Sequence, residues 1–118
     1  MMIDTKIDVP ISGVMLKRYF ENLVNQVYKI LPMREANMSS LPKYIWRLEA
    51  ELIGGKTLVS PLTDDSYYGS LINILHYLNE HEQDCTVGQV KQLVFEAIHL
   101  CEKLSLRYAD SVNSKDGD

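Results

Sequence analysis

Side chains that could bind a metal ion are concentrated between positions 76 and 85. His76 and Glu80 are one helical turn apart, and four further donors follow them: His81, Glu82, Asp84 and Cys85. Nitrogen, oxygen and sulfur ligands of this kind suit zinc and related metals. However, the two histidines are five positions apart and diverge on a helix, and the chain contains neither HExxH nor a paired CxxC motif. Residues 79–84, NEHEQD, fit a solvated connection equally well, and we expect neither a metal ion nor a cofactor.

The two cysteines do not form a recognisable nucleophilic site. His99 and Cys101 are two positions apart, which on a helix directs them to different faces, so they cannot act as a Cys–His pair. Cys101 belongs to a row of apolar residues, where a free thiol is ordinary packing. Cys85 precedes a helix, where backbone donors can stabilise a thiolate, but inert packing is the commoner outcome. We therefore expect that the protein is not an enzyme.

Trp46 lies beside Lys43 and Arg47, and an aromatic ring beside cations is a feature of platforms for single-stranded nucleic acid. Because Trp46 is one position away from Ile45 in the apolar row, it either covers the edge of the domain or is exposed for a partner protein. A nucleic acid-associated regulator is the alternative function. It would use six basic residues of the first two helices as phosphate contacts: Lys17, Arg18, Lys29, Arg34, Lys43 and Arg47.

The composition fits one globular domain. The chain has 118 residues, of which 46% are hydrophobic and 24% charged, and its net charge of -4 is too small for a disordered acidic tail. With a pI near 5.3 it has no global basic field for nucleic acid. No apolar run reaches the roughly 18 to 20 residues that a membrane span needs, and the N-terminus does not look like a secretion signal. The sequence therefore predicts a cytoplasmic protein without a membrane association.

The first residues differ in pattern from the rest of the chain. Between Ile3 and Ile11, apolar or β-branched residues occupy every odd position, which predicts an extended arm over residues 1–12. The sequence offers no second strand, so the arm must lie on its own domain, pair with a partner's strand edge, or stay loose until something binds it. We take Ile3, Ile7 and Val9 as candidate contacts with a partner.

Apolar residues at spacings of three and four predict two amphipathic helices in the first half. The first begins near Ser12 and ends at Pro32, with this apolar row: Leu16, Phe20, Leu23, Val27 and Ile30. The second begins at Ser39 or Ser40 and ends at the glycine pair 54–55, with this row: Leu41, Ile45, Leu48 and Leu52. A looser stretch follows, in which Leu58, Val59 and Leu62 are expected to pack under a loop.

Two more helices are predicted in the second half. The third begins among the capping residues 63–66 and carries this row: Tyr67, Leu71, Ile74 and Leu78. Three further apolar residues widen the row: Tyr68, Ile72 and Leu75. The fourth opens with a capping box at Thr86 and Gln89 and carries this row: Val90, Val94, Ala97, Cys101, Leu104 and Tyr108. The predicted fold is all-α: a small antiparallel four-helix bundle over residues 13–109, with the extended N-terminal arm and a disordered C-terminal tail at 110–118.

The helices carry more apolar surface than one contact row each requires. Leu93 and Leu100 share a flank of the fourth helix. Either the short bundle wraps this helix on most sides, or the flank meets another subunit. The leading hypothesis is a non-enzymatic interaction or accessory subunit that docks on a larger protein, or on a second copy, through the arm, Trp46 and this flank.

Residues 29–55, KILPMREANMSSLPKYIWRLEAELIGG, carry two local motifs. One is an aliphatic-Pro-aliphatic-basic-Glu turn from Leu31 to Glu35, and the other is the helix end EL-x-G from Glu51 to Gly54. This quarter of the chain resembles a segment of small all-helical proteins of unknown function that bacteria encode in phage-defence cassettes, some beside ATPases of the ABC or SMC type. The resemblance implies an accessory or middle subunit that bridges larger components, and it carries over no functional residue.

Overall fold

All regular structure in the described part of the chain is helical. The computed structural model describes residues 13–116, with the backbone alone at residue 60 and at residues 109–116. Its elements are α1 (Gly13–Tyr28), α2 (Ile30–Glu35), α3 (Leu41–Leu58), α4 (Ser60–Thr63), α5 (Ser66–His81), a 3-10 turn (Glu82–Asp84) and α6 (Val87–Asp116). The predicted all-α class is confirmed. The arm, with Ile3, Ile7 and Val9, lies outside the described residues.

The first predicted helix is interrupted earlier than expected. Proline has no N–H to donate to the carbonyl four residues before it, and its ring crowds that carbonyl. The carbonyl that Pro32 would leave unpaired belongs to Tyr28, and α1 ends there. The chain continues as the short helix α2, which holds Pro32 in its first turn. The expectation that Pro32 terminates the helix was therefore wrong, since the break lies at Lys29 and helical structure resumes beyond it.

The glycine pair does not end the second predicted helix, which is a correction to the sequence analysis. α3 continues through Gly54 and Gly55 to Leu58. Neither glycine has a positive φ, so neither supplies the left-handed conformation of a helix end. A Cβ at Gly55 would collide with the hydroxyl of Tyr68, whereas a Cβ at Gly54 would have no atom within 4 Å. Gly55 therefore serves close packing between α3 and α5, because the Tyr68 hydroxyl donates to the carbonyl of Leu52 at 2.6 Å.

The stretch between α3 and α5 is more regular than predicted, because it forms the single turn α4. Val59 and Leu62 are buried as expected, but Leu58 is exposed. Asp65 caps α5 by accepting hydrogen bonds from the backbone N–H groups of Tyr67 and Tyr68.

The inward face of α5 keeps Leu71 and Leu78 of the predicted row, but its other two fully buried residues, Tyr68 and Leu75, come from the residues that were expected to widen that row. Its fully buried residues are Tyr68, Leu71, Leu75 and Leu78, while Tyr67 and Ile74 are half-buried. The choice between adjacent rows depends on the neighbouring helices, since both rows have helical spacing.

The last helix has the predicted start and the predicted inward face. At its start, Thr86 and Gln89 exchange the two hydrogen bonds of a capping box, at 2.8 and 3.1 Å. All six residues of its apolar row are buried. The backbone of α6 is helical to Asp116, so it extends past Ala109, where the sequence placed its end.

The core lies between α6 and the other long helices. α1 packs along α6, and the ring of Phe20 stacks on that of Tyr108 with centroids 6.0 Å apart. α3 reaches α6 through α5, which contacts both. α3 and α5 run in opposite directions, because Leu52 contacts Tyr68 while Glu49, nearer the start of α3, contacts His76. None of the described helices has both the length and the apolar content needed to cross a bilayer.

Alanine substitutions at the two adjacent glycines should change the free energy of unfolding in opposite directions. G54A should raise the free energy of unfolding by about 0.5 to 1 kcal/mol, because alanine has the higher helix propensity and the site is open. G55A should lower it by about 2 to 3 kcal/mol, because its methyl group displaces the buried Tyr68 ring. Urea denaturation followed by circular dichroism gives both values. Equal effects at the two positions would contradict this assignment of Gly55.

Candidate interaction surfaces

One side of α3 is apolar and faces solvent. The helix buries Leu41, Ile45, Leu48 and Leu52 on its inward side. On the outward side, Trp46 is 58% exposed and Ile53 46% exposed. Together with Ala50 and Thr57 they follow spacings of four, three and four, so they form a second row along the same helix. We call the row 46, 50, 53 and 57 the α3 outer face.

Positive charge flanks the α3 outer face. Lys43, Arg47 and Lys56 are exposed, and no carboxylate among the described side chains forms an ion pair with any of them. The two glutamates of α3 have other partners: Glu49 is buried and contacts His76, and Glu51 accepts a hydrogen bond from the Tyr19 hydroxyl. The face is therefore an apolar row between cations.

A groove runs along the outside of α5 and α6 and contains both leucines predicted as partner contacts. A cavity of about 460 Å³ includes Leu100 and Ile74, and a neighbouring cavity of about 250 Å³ includes Leu93 and Tyr77. Glu96 lines both cavities, so the two are adjacent. Leu93 and Leu100 also pack against the core, so only part of each side chain is available to a partner.

Two of the six candidate phosphate contacts already have partners. Nε of Arg34 lies 2.9 Å from the Glu82 carboxylate, and its Nη2 donates to the carbonyl of Cys85 at 2.8 Å. This contact joins α2 to the turn before α6. Lys17 pairs with Glu21 at 2.6 Å on the surface of α1. Lys29, Lys43 and Arg47 are exposed, as is Arg18.

The possible metal donors between positions 76 and 85 take part in different structural contacts. Glu82 pairs with Arg34, and Cys85 is buried. The Nε2 atom of His76 lies 3.3 Å from the Glu80 carboxylate. The Nε2 atom of His81 lies 4.0 Å from the same carboxylate. Within the described part of the chain, no three His, Cys, Asp or Glu side chains are arranged to hold a metal ion.

A polar network that the sequence did not predict joins α3 to α5. Nδ1 of His76 lies 2.8 Å from one oxygen of buried Glu49, and the Asn79 amide donates to the other at 3.2 Å. The hydrogen bond to Glu49 is the largest cause that raises the pKa of His76, followed by the charges of Glu49 and Glu80. The one signal in the sequence was a glutamate four positions after Ile45 and three before Leu52, at the edge of an apolar row.

An apolar cavity of about 290 Å³ lies near the start of α1. On one side it is bounded by Met15, Leu16 and Tyr19 of α1. On the other side it is bounded by Gly55 near the end of α3 and by Leu62 of α4. The Tyr19 hydroxyl donates to Glu51 at 2.5 Å, and burial is the main reason that its pKa is raised well above the ordinary value. The hydroxyl therefore stays protonated and acts as a hydrogen-bond donor.

Comparison with known proteins finds no matching family model, no matching curated protein and no matching solved structure. The resemblance of residues 29–55 to accessory proteins of phage-defence cassettes stays a prediction. The functional argument consequently rests on the surfaces of this chain.

The His76–Glu49 contact should make stability depend on pH. The folded protein raises the pKa of His76 above its ordinary value near 6.5, so this contribution is complete below that value. It is lost as the pH rises through the raised pKa. We expect H76Q to destabilise the protein more at pH 5.5 than at pH 8.5, as measured by urea denaturation. H99Q is the control, and the same pH dependence of the loss in both variants would contradict the assignment.

Proposed function

We propose that this protein is a non-enzymatic interaction subunit of a larger cytoplasmic complex. Its four long helices would form an antiparallel bundle that presents the α3 outer face to a larger protein. The observation that carries the proposal is the exposure of Trp46 on the second apolar side of a helix whose first side is already buried. A helix that served only the core of a monomer would need one apolar side.

Trp46 alone could supply one hot-spot contribution to the binding free energy on this face. Tryptophan buries roughly 150 to 250 Å² when it is enclosed, and apolar burial contributes about 25 cal/mol per Å². Covering the exposed half of Trp46 would thus contribute about 2 to 3 kcal/mol, which is typical of an interface hot spot. Ile53 adds apolar area two helical turns away.

Two further features support an interaction subunit. Leu93 and Leu100 line two adjacent cavities along α5 and α6, where the sequence predicted a subunit contact. The arm at residues 1–12, with Ile3, Ile7 and Val9, is the third proposed contact. The resemblance of residues 29–55 agrees with the same role, because it implies a bridging subunit.

The alternative is a nucleic acid-associated regulator. It is supported by the exposed cations Lys43 and Arg47 beside Trp46. It is weakened by the engagement of Arg34 and Lys17 in contacts with carboxylates, which leaves fewer cations for phosphates.

A co-purification experiment tests the leading proposal. The tagged protein is expressed with the products of its neighbouring genes, and complexes are analysed by mass spectrometry and light scattering. We expect one larger protein to co-purify stoichiometrically and W46A to reduce its recovery about tenfold, because the hot spot is lost. L106A is the matched control, since Leu106 is 63% exposed on α6, away from α3.

Two results would contradict the proposal. One is a monomer with no associated neighbour, and the other is an equal loss of the partner in W46A and L106A. Retention of labelled single-stranded DNA in a gel shift at low salt, abolished by W46A, would favour the alternative function instead.

A further inference from the structure

No contact among the described residues requires a glycine at position 54. It lies inside α3, its φ is not positive, and an added Cβ would have no atom within 4 Å. Glycine inside a helix lowers stability relative to alanine. Its neighbour Gly55 has a reason in the fold, namely the Tyr68 hydroxyl, but Gly54 has none within the described residues.

Gly54 leaves space on the outward side of α3. It lies one turn after Ala50, so the two small residues are neighbours on the outward side of α3. They form a shallow strip beside Trp46 and Ile53. Small residues four positions apart allow the backbone of a second helix to come close, because no side chain separates the two.

The dimensions of the α3 outer face suit a helical partner. Positions 46 to 57 extend over about 17 Å at the rise of about 1.5 Å per residue. The spacings of four, three and four are those by which two helices interlock along a common seam. An amphipathic helix laid on this face would place its apolar residues against Trp46 and Ile53.

The cations that flank the α3 outer face favour a partner with a negatively charged docking surface. Lys43 and Arg47 lie on one side of the row and Lys56 on the other, and none has an ion-pair partner among the described side chains. The chain as a whole has a net charge of -4, so this positive surface is local. Carboxylates at the flanking positions of a docked helix would complement it.

We propose that the α3 outer face binds an acidic amphipathic helix of a partner protein, which approaches α3 closely at Ala50 and Gly54. This inference rests on the proposed interaction function and specifies its partner.

Two other occupants fit the face less well. If a second copy docked through the same face, Lys43, Arg47 and Lys56 would meet their own counterparts, and like charges in contact are unfavourable. A nucleic acid would complement the cations and stack on Trp46, but it would make no use of Ile53 or of the open strip at Gly54.

The test uses three labelled synthetic helices of about 18 residues with leucines at spacings of four, three and four. Their flanking positions carry glutamate, glutamine or lysine. Fluorescence anisotropy measures their binding to the full-length protein. We expect the glutamate helix to bind about tenfold more tightly than the lysine helix. The variant K43E/R47E should reverse this preference, which a fold defect would not do.

Gly54 gives a second readout. G54A should weaken binding of the glutamate helix several-fold while the protein becomes more resistant to urea, because the methyl group holds the partner away. The control is G88A in the first turn of α6, outside the face, which should leave the affinity unchanged. W46A should weaken all binding.

The outcomes separate this inference from the proposed function. If the three helices bind equally and W46A weakens them all, the face is an interaction surface but the acidic partner is wrong. If G54A leaves the affinity unchanged, close approach is wrong. If no helix binds, both the inference and the role of this face in the proposed function fail. Binding of labelled single-stranded DNA that is lost in K43E/R47E would overturn the choice of a helical partner.

Discussion

The carboxylate of Asp65 holds together the end of the molecule where α4, α5 and α6 meet. Its side chain is only 2% exposed, and it accepts hydrogen bonds from the first N–H groups of α5, from Arg107 at 2.8 Å and from the Tyr108 hydroxyl at 3.2 Å. A buried carboxylate is tolerated when its oxygens are satisfied in this way. Burial and the neighbouring Asp65 raise the pKa of Tyr108 to about 12, so Tyr108 remains a donor at neutral pH.

The position of α3 follows from this contact. Because Asp65 fixes the start of α5, Tyr68 is held against Gly55 and the carbonyl of Leu52. Farther along the same pair of helices, Glu49 meets His76. These two contacts set the rotation of α3 about its axis, and that rotation directs Trp46 and Ile53 outward.

The apolar rows of α1 and α6 could be predicted from the sequence because a helix with one buried side repeats its apolar residues every three or four positions. Glycine and proline were less reliable guides. Gly55 is explained by a contact with Tyr68, thirteen positions away, and local sequence does not show which residue lies opposite a glycine. Pro32 interrupted one helix and was accepted in the first turn of the next.

The candidate surfaces were predictable only where local spacing decides exposure. Trp46 is outside the inward row of its own helix, and its exposure follows from that. The Glu49–His76 contact and the ion pair of Arg34 with Glu82 join segments far apart in the sequence, so their formation depends on how the helices are aligned. For this reason Arg34 looked like an available cation in the sequence and is a structural contact in the fold.

The close packing of α1 on α6 has a consequence for the order of folding. These helices are separated by the 58 residues from 29 to 86, whereas α3 and α5 are nearly consecutive. Closing a chain segment of that length costs about 3 to 4 kcal/mol in entropy, so local helix pairs gain contacts before α1 can dock. Cys101 is fully buried on α6, the helix along which α1 packs. Alkylation of the Cys101 thiol therefore measures the docking of α1 during folding. We expect the thiol to become protected only after the first and last described helices have met.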